Sequence, residues 1–258
     1  MPALGRYRYL FEQLVRRELR QKYQGSLLGI AWYFVNPLVL MGAYWLMFGR
    51  VFKVVSHEDY PLFLMVGLVV WIFFSQSVLS ASSSLLDQGS LVRKARFPRE
   101  TIPAAVVTVQ LATFLVLLVL LGIVTVAVRG TLEPALLLLP LVLACLFAFV
   151  LGASLAVSVL QAHFRDVAPI LGAALLPWFF VSPIFFDVDE VFSNEVARVG
   201  LTWVNPVAPF ITATRDILYG GVAPEPATLV YIAAAAVMTL VAGRWLFRRM
   251  EAELAVVV

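Results

Sequence analysis

Six stretches of this 258-residue chain contain no Asp, Glu, Lys or Arg: 27–49, 60–86, 101–128, 134–164, 167–186 and 226–243. Each approaches or exceeds the roughly 20 residues that a helix needs to cross ~30 Å of hydrocarbon. A charged side chain at mid-span costs roughly 2.5–3.5 kcal/mol on insertion scales, so whole runs free of charge are what lipid selects. The composition agrees, at 62% hydrophobic and 14% charged with mean hydropathy +0.92, and excludes an ordinary soluble globular protein. The expected fold is an all-α integral membrane protein, a single domain over 1–258 with six transmembrane helices.

The basic residues fix the orientation. With six spans, one side holds Arg6, Arg8, Arg16, Arg17, Arg20, Lys22, Arg93, Lys94, Arg96, Arg99, Arg165, Arg244, Arg248 and Arg249, fourteen of the nineteen. The positive-inside rule makes that side, and both termini, cytoplasmic. A seventh uncharged stretch, 199–214, is short and broken by Asn205-Pro206 and Pro209, and counting it as a span would expel the three terminal arginines. Residues 187–225 therefore read as an external insertion, either a surface loop or two re-entrant half-helices near 189–200 and 206–218. Irregular backbone at membrane depth needs protein or water over its polar groups, so the second form predicts a wet cavity or pore exit. The basic start does not resemble a removable secretory peptide.

On a helix over 6–22, Tyr7, Leu10, Phe11, Leu14 and Val15 gather on one arc, opposite Arg6, Gln13, Arg16, Arg17 and Arg20. This is an interfacial helix lying along the cytoplasmic leaflet. Glu18 falls on the apolar arc, where it must find a cation on another segment or subunit, or snorkel to the headgroups.

Chemistry is absent from the motifs. No phosphate loop, metalloprotease motif or nucleophile elbow occurs, and no span carries an ionisable residue at its centre. His57 and His163 have no second ligand nearby, so no metal site is expected, and the lone Cys145 sits in an apolar run. The basic residues cluster at span ends rather than on one polar face, which argues against nucleic acid.

What the spans carry is aromatic and weakly polar. Phe34, Leu38, Met41, Trp45 and Phe48 share one face of the first span, and Phe63, Trp71 and Phe74 are similarly placed in the second. Aromatic faces suit the C–H faces of sugars, but such stripes also serve helix packing or interfacial belts, as Trp32, Tyr33, Trp178 and Trp203 illustrate. Ser75, Gln76, Ser77, Ser80 and Ser82 to Ser84, with Ser154, Ser158 and Gln161, line a polar path or bond between helices. Ala148, Gly152 and Ala156, and again Ala168 and Gly172, form small-residue grooves that let helices approach closely.

Between the second and third runs, LVRKARFPRE combines charge with apolar residues. Asp87 is positioned to cap a short helix begun near Gln88 and ended by Phe97-Pro98. Leu91, Val92 and Phe97 would then be available as apolar contacts beside Arg93, Lys94, Arg96 and Arg99. A topology loop needs only the charges, whereas a docking site for a cytosolic partner uses both.

Together, the basic amphipathic start, Y-x-x-S-x-L-G-x-x-W-x-x-x-x-P from Tyr23 to Pro37, L-V-R-K-x-x-F-P-R from Leu91 to Arg99, the F-R-D of Phe164 to Asp166, and Asn205-Pro206 followed by Arg215 resemble the membrane subunit of type-2 ABC exporters. Within that class the chain is most similar to the branch exporting O-antigen, capsule and teichoic-acid polymers. The resemblance implies a permease in a bacterial cytoplasmic membrane, a homodimer bound to two cytosolic ATPase subunits. Those subunits would hold the ATP and magnesium, and this chain no cofactor. It implies that 88–98 is a coupling helix contacting the ATPase through Leu91, Val92, Arg93, Lys94, Phe97, Pro98 and Arg99. By the same resemblance the helix at 6–22, with Phe11, Leu14, Arg16, Arg17, Glu18 and Arg20, is an interface helix at the substrate entrance. Phe34, Trp45, Phe48, Trp71, Phe74, Trp178, Phe179 and Phe180 are channel-lining candidates, and Asn205, Pro206 and Arg215 belong to the exit region. The substrate would be a polymer, lipid-linked in this branch. A small-molecule exporter of the same class and a non-transporting scaffold are the alternatives.

Overall fold

The computed structural model describes residues 2–23, 31–51, 59–94, 97–129, 133–188 and 194–254, and among them every regular element is a helix. In chain order these are α1 (Pro2–Tyr23), α2 (Trp32–Tyr44), α3 (Tyr60–Asp87), α4 (Gly89–Lys94), α5 (Thr101–Arg129), α6 (Leu139–His163), α7 (Val167–Val181), α8 (Glu195–Val199), α9 (Ala208–Arg215) and α10 (Pro226–Met250). Proline opens α3, α6, α9 and α10 within the first two positions, where its missing N–H has no partner to lose. Wider π-type turns continue α2 through Trp45–Val51, α8 through Gly200–Val204 and α9 through Asp216–Gly220, and a 3₁₀ turn at Pro134–Leu138 leads into α6.

Four helices are long and apolar enough to cross a membrane: Tyr60–Asp87, Thr101–Val128, Pro134–His163 and Pro226–Glu253. Val167–Val181 is apolar but shorter. Several boundaries differ from the sequence expectation. The amphipathic helix begins at Pro2 instead of residue 6, and α10 continues seven residues past 243, since Arg244, Arg248 and Arg249 reach water at its end without breaking it. The fifth run stops being helical at Val181, where Ser182-Pro183 turns the chain. The insertion folds as helical pieces at 195–204 and 208–220, ending four and two residues beyond the expected 200 and 218, and the expected start of the first piece, 189–193, lies outside the described residues. Asp87 ends α3 rather than capping α4, and its carboxylate accepts a hydrogen bond from the Ser83 hydroxyl (2.9 Å).

α3 is the centre of the bundle. Its most apolar window is 83% buried, against 22% for α5 and 28% for α10, so α3 is enclosed by protein over most of its surface, with Gln76 exposed, while α5 and α10 present outward faces such as Val119, Ile123, Val237 and Val241. One hydrophobic cluster surrounds α3 from Leu62 to Ala81. A second lies at the α4 end of the bundle, joining Leu14 of α1, Val92 of α4, Ile102 of α5, Val159 of α6 and Phe247 of α10. The serines of α3 and α6 mostly bond to their own helices: Ser75 to Trp71 O (2.8 Å), Ser84 to Ala81 O (2.7 Å) and Ser158 to Leu155 O (2.9 Å). Satisfied in this way, they pack as small residues.

Lipid tails are as apolar as leucine, so helices in a bilayer associate through van der Waals contact that small residues make possible. α6 and α10 are the most intimate pair. A Cβ on Gly152 would fall onto the backbone of Thr239 and Leu240, and one on Gly243 onto the carbonyl of Gly152. Gly152 of the 148–152–156 groove thus meets α10, whereas Gly172 of the other groove faces open space. Because the obstructing atoms are backbone, no rotamer change relieves a larger side chain. Gly152→Val is therefore expected to separate the two helices and lower stability by about 2 kcal/mol or more, read as a fall in the melting temperature of the detergent-purified protein.

Candidate functional site

Three assemblies of side chains are candidates, one at the end of the bundle where α1, α4 and the end of α10 meet, one in the bundle and one at the opposite end. At the first of these, α4 is suspended under α3. Val92 is 1% exposed and Leu91 and Phe97 are half-buried against the second cluster, so the apolar residues expected to be free for a partner instead fasten the segment to the bundle. Arg93 and Pro98 remain exposed; the side chain of Lys94 lies outside the described set. Gln88, at the root of α4, donates to the Glu18 carboxylate of α1 (2.7 Å), which answers where the misplaced acid on the apolar arc goes. Burial pushes the Glu18 carboxyl above its ordinary value, opposed by the Gln88 bond and by Arg17 and Lys22. On the apolar arc Leu14 is buried, with Phe11 half-buried beside it, and Arg16, Arg17 and Arg20 project outward.

The other side of the same segment is tied to α10. Glu100 receives Arg248 Nε at 3.0 Å and Arg244 Nε at 3.2 Å, and Arg99 donates to the Glu251 carbonyl. His163, ending α6, pairs with Glu253 at 3.6 Å. Exposed pairs contribute little individually, but three bridges between one loop and one helix end hold a geometry. Glu100 was not anticipated; a lone acid in a basic decapeptide was the available signal. The F-R-D turn is set by Gln161, whose Oε1 accepts from Ala168 N (2.6 Å) and whose Nε2 donates to the Arg165 carbonyl (3.1 Å).

In the bundle, the aromatic candidates separate into two groups. Trp71, Phe74, Trp178 and Phe179 form one interior cluster with ring centroids 5.3–6.0 Å apart, extended by Phe149 and Phe210. Trp71, Phe74 and Phe179 are buried within this chain. Trp178 is no interfacial belt residue, since its indole N–H donates to Asn205 Oδ1 (2.9 Å) inside the fold. Trp45 and Phe48 are half-buried on the wide turn after α2, and Phe180 is exposed, stacked on Phe185. The side chain of Phe34, like His57, lies outside the described residues.

At the opposite end, Asn205 and Arg215 tie the chain after α7 to α9. Asn205, buried, also donates to Ser182 Oγ (3.0 Å) and accepts from Val207 N (3.1 Å), an Asx turn that starts α9, while Pro206 is half-buried beside it. Arg215 donates Nη1 to Pro183 O (2.9 Å) and Nη2 to Ile184 O (3.1 Å), with its guanidinium 3.6 Å above the Phe63 ring. Tyr60, which sequence reasoning passed over, donates its hydroxyl to Phe185 O (2.9 Å). Gly67 leaves the space that the guanidinium occupies, since a Cβ there would lie 2.8 Å from Nη2. A cavity of about 660 Å³ opens nearby between α5, Glu133–Leu136 and residues 217–222. Gly221, at φ +67°, closes the turn beside it, a conformation that favours glycine.

Comparison with known proteins places these features in context. Residues 9–219 match the ABC-2 type transporter family. The chain is 32% identical over 252 residues to the O-antigen export system permease protein RfbA of Myxococcus xanthus, covering 98% of this chain and 96% of that protein. It is 28% identical over 222 residues to an RfbA of Klebsiella pneumoniae (83% and 82% covered), and 27% identical over 245 residues to the polysialic acid transport protein KpsM of Escherichia coli (93% of each).

Two outcomes test the electrostatics. Arg215→Met leaves the Pro183 and Ile184 carbonyls without their donor, at about 1–3 kcal/mol each, and Arg215→Lys is expected not to restore the wild-type melting temperature because a point ammonium cannot bridge both. For Glu18 the raised carboxyl means that its ionised form opposes folding. Stability should rise as pH falls from neutral toward the ordinary value of 4.5, and Glu18→Gln should flatten that slope in melting curves taken across the range.

Proposed function

Since the chain belongs to the ABC-2 type transporter family, and its relatives are permeases for O-antigen and polysialic acid, we propose that it is the membrane permease subunit of an ATP-driven exporter of a cell-envelope polysaccharide. The nucleotide chemistry resides on a separate cytosolic ATPase, and the sequence carries no phosphate-binding loop of its own. The polymer leaves the cytoplasm across a bacterial inner membrane through a path formed by two copies of this chain. Support for the second copy comes from outward faces left on α2 and α7, where Gly42 and Gly172 meet nothing within 4 Å and Val39, Ile170, Leu176 and Phe180 are exposed.

Six crossings account for the topology. α2 with its wide turn runs 20 residues, or ~30 Å at 1.5 Å per residue, and α7 with the pinned segment to Phe185 makes the fifth. The pieces between α7 and α10 are re-entrant on this reading. Their support is that Arg215 lies beside Phe63 and Gly67, several residues inside the outer end of α3.

The observation that carries the mechanism is the seating of α4. A partner pressing on exposed Arg93 displaces a helix whose inner face is held by the same cluster that holds α1, α5, α6 and α10. Gln88 passes motion to α1, and Arg99 with Glu100 passes it to α10. Phe180 and Trp45, on surfaces left open by one chain, are the aromatic residues best placed to meet the polymer; Trp71, Phe74 and Phe179 support them from behind.

Arg93→Glu should reduce ATPase association in co-purification and lower export by tenfold or more with the melting temperature unchanged. Retained association with normal export would remove α4 from the contact.

A further inference from the structure

Between α2 and α5, with α3 as its floor, a groove runs along the bundle. Its cytoplasmic half, of about 370 Å³, is lined among others by Lys22, Trp32, Asn36, Gln76, Gln110 and Thr113. Its outer half, of about 390 Å³, is lined by Met41, Leu62, Met65, Leu120, Leu121 and Val124 and others. Leu117 is a wall of both, so the two lie end to end. Each helix changes character in step: α2 from Asn36 to Met41, α3 from Gln76 to Met65, α5 from Gln110 to Leu120. The groove is polar at its Lys22 end and apolar beyond Leu117, with Asp59 at the far rim, and three helices agree on where the first change occurs.

Packing alone does not call for this. Gln110 is the one long polar side chain of α5's charge-free run, and it is buried. Its Oε1 accepts from Lys22 Nζ (2.7 Å) and its Nε2 donates to Ser80 Oγ (3.2 Å), which turns the ammonium from the end of α1 toward the bundle. A smaller crevice on the other side of Lys22, lined by Glu18, Gln21, Ser80 and Gln110, continues the polar end. Desolvation by these walls lowers the Lys22 ammonium to about 8, so it stays cationic at neutral pH and gains from any anion that reaches it. An ammonium, two amides and an indole N–H all donate, which suits the oxygens of a phosphate diester. From Gln110 to Val124 the groove follows ~21 Å of helix, more than the ~15 Å of hydrocarbon in one leaflet.

We propose that this groove is a binding site for one anionic glycerophospholipid of the cytoplasmic leaflet, its phosphate held by Lys22 with Gln76 and Gln110 and an acyl chain lying along Leu117 to Val124. The site is separate from the polymer path and does not depend on which polymer is exported. Lipid in the groove fills the wall between α2 and α5 and fixes the end of α1 against α3.

The test is native mass spectrometry of the permease–ATPase complex, delipidated and re-equilibrated with vesicles of phosphatidylethanolamine and phosphatidylglycerol at three to one. One phosphatidylglycerol per chain should be retained at least tenfold over phosphatidylethanolamine. Lys22→Gln should reduce that retention about tenfold, and Leu117→Trp, which fills the acyl half and leaves Lys22 intact, should do the same. If Leu117→Trp fails to fold, Met65→Phe blocks the same half. Equal retention of the two lipids, or undiminished retention in Lys22→Gln, overturns the proposal. So does recovery of a polyprenyl phosphate in place of the phospholipid from complex purified directly from membranes. Disulfide formation between copies carrying Leu120→Cys would place a second chain in the groove and overturn it equally.

Discussion

Enclosing α3 in protein is the constraint on which the rest of the molecule depends. In a bilayer no hydrophobic gain drives one apolar helix onto another, so a helix leaves the lipid only where neighbours fit it closely. α3 achieves this with aromatic rings on its first and middle turns and serines toward the α4 end. The rings interlock with α6, α7 and α9 through Trp178, Phe149 and Phe210. The hydroxyls fold back onto their own carbonyls and let α5 and α6 come near. What faces a partner, a substrate or the lipid is consequently borne by the peripheral helices, apart from the strip of α3 that floors the groove between α2 and α5.

The two ends of α3 are held by different physics. At the outer end, one buried guanidinium, one amide and one phenol supply donors to a chain segment that has left its helix and needs them. The guanidinium's forked shape lets it serve two consecutive carbonyls while lying on a ring face, which is why Gly67 must lack a side chain. At the α4 end the contacts are aliphatic and Phe side chains ringed by exposed ion pairs, individually weak and exchangeable. The outer knot is suited to staying fixed, and the inner plane to rearranging.

Much of this was legible in the sequence, because lipid permits few solutions. Charge-free runs located the four helices long enough to cross a membrane, an amphipathic pattern located α1, and the positive residues marked the side on which α1, α4 and the end of α10 come together. The position of Gly152 in a small-residue groove foretold a close approach, though not that α10 would be the partner. What escaped were relations between distant residues. Glu18 looked misplaced until Gln88 appeared beside it. Glu100 counted merely as a charge in a basic loop, and Leu91, Val92 and Phe97 read as free surface because no local pattern reveals that α1 and α10 converge beneath α4. Helical spacing cannot tell a ring turned to a channel from one turned to a neighbour, and Trp71 and Phe74 are turned to Trp178.

The backbone contact at Gly152 and Gly243 has a mechanical meaning. Two helices touching main chain to main chain have no side-chain cushion through which to slide, so α6 and α10 behave as a single strut. α10 alone is 25 residues, ~37 Å long, and its foot is bound to the segment carrying Arg99 and Glu100. Its other end meets the external pieces, where Tyr231 donates its hydroxyl to the Trp203 carbonyl. A tilt imposed at the foot therefore arrives at the far side of the membrane as a lateral swing scaled by the length of the strut, with little absorbed along the way.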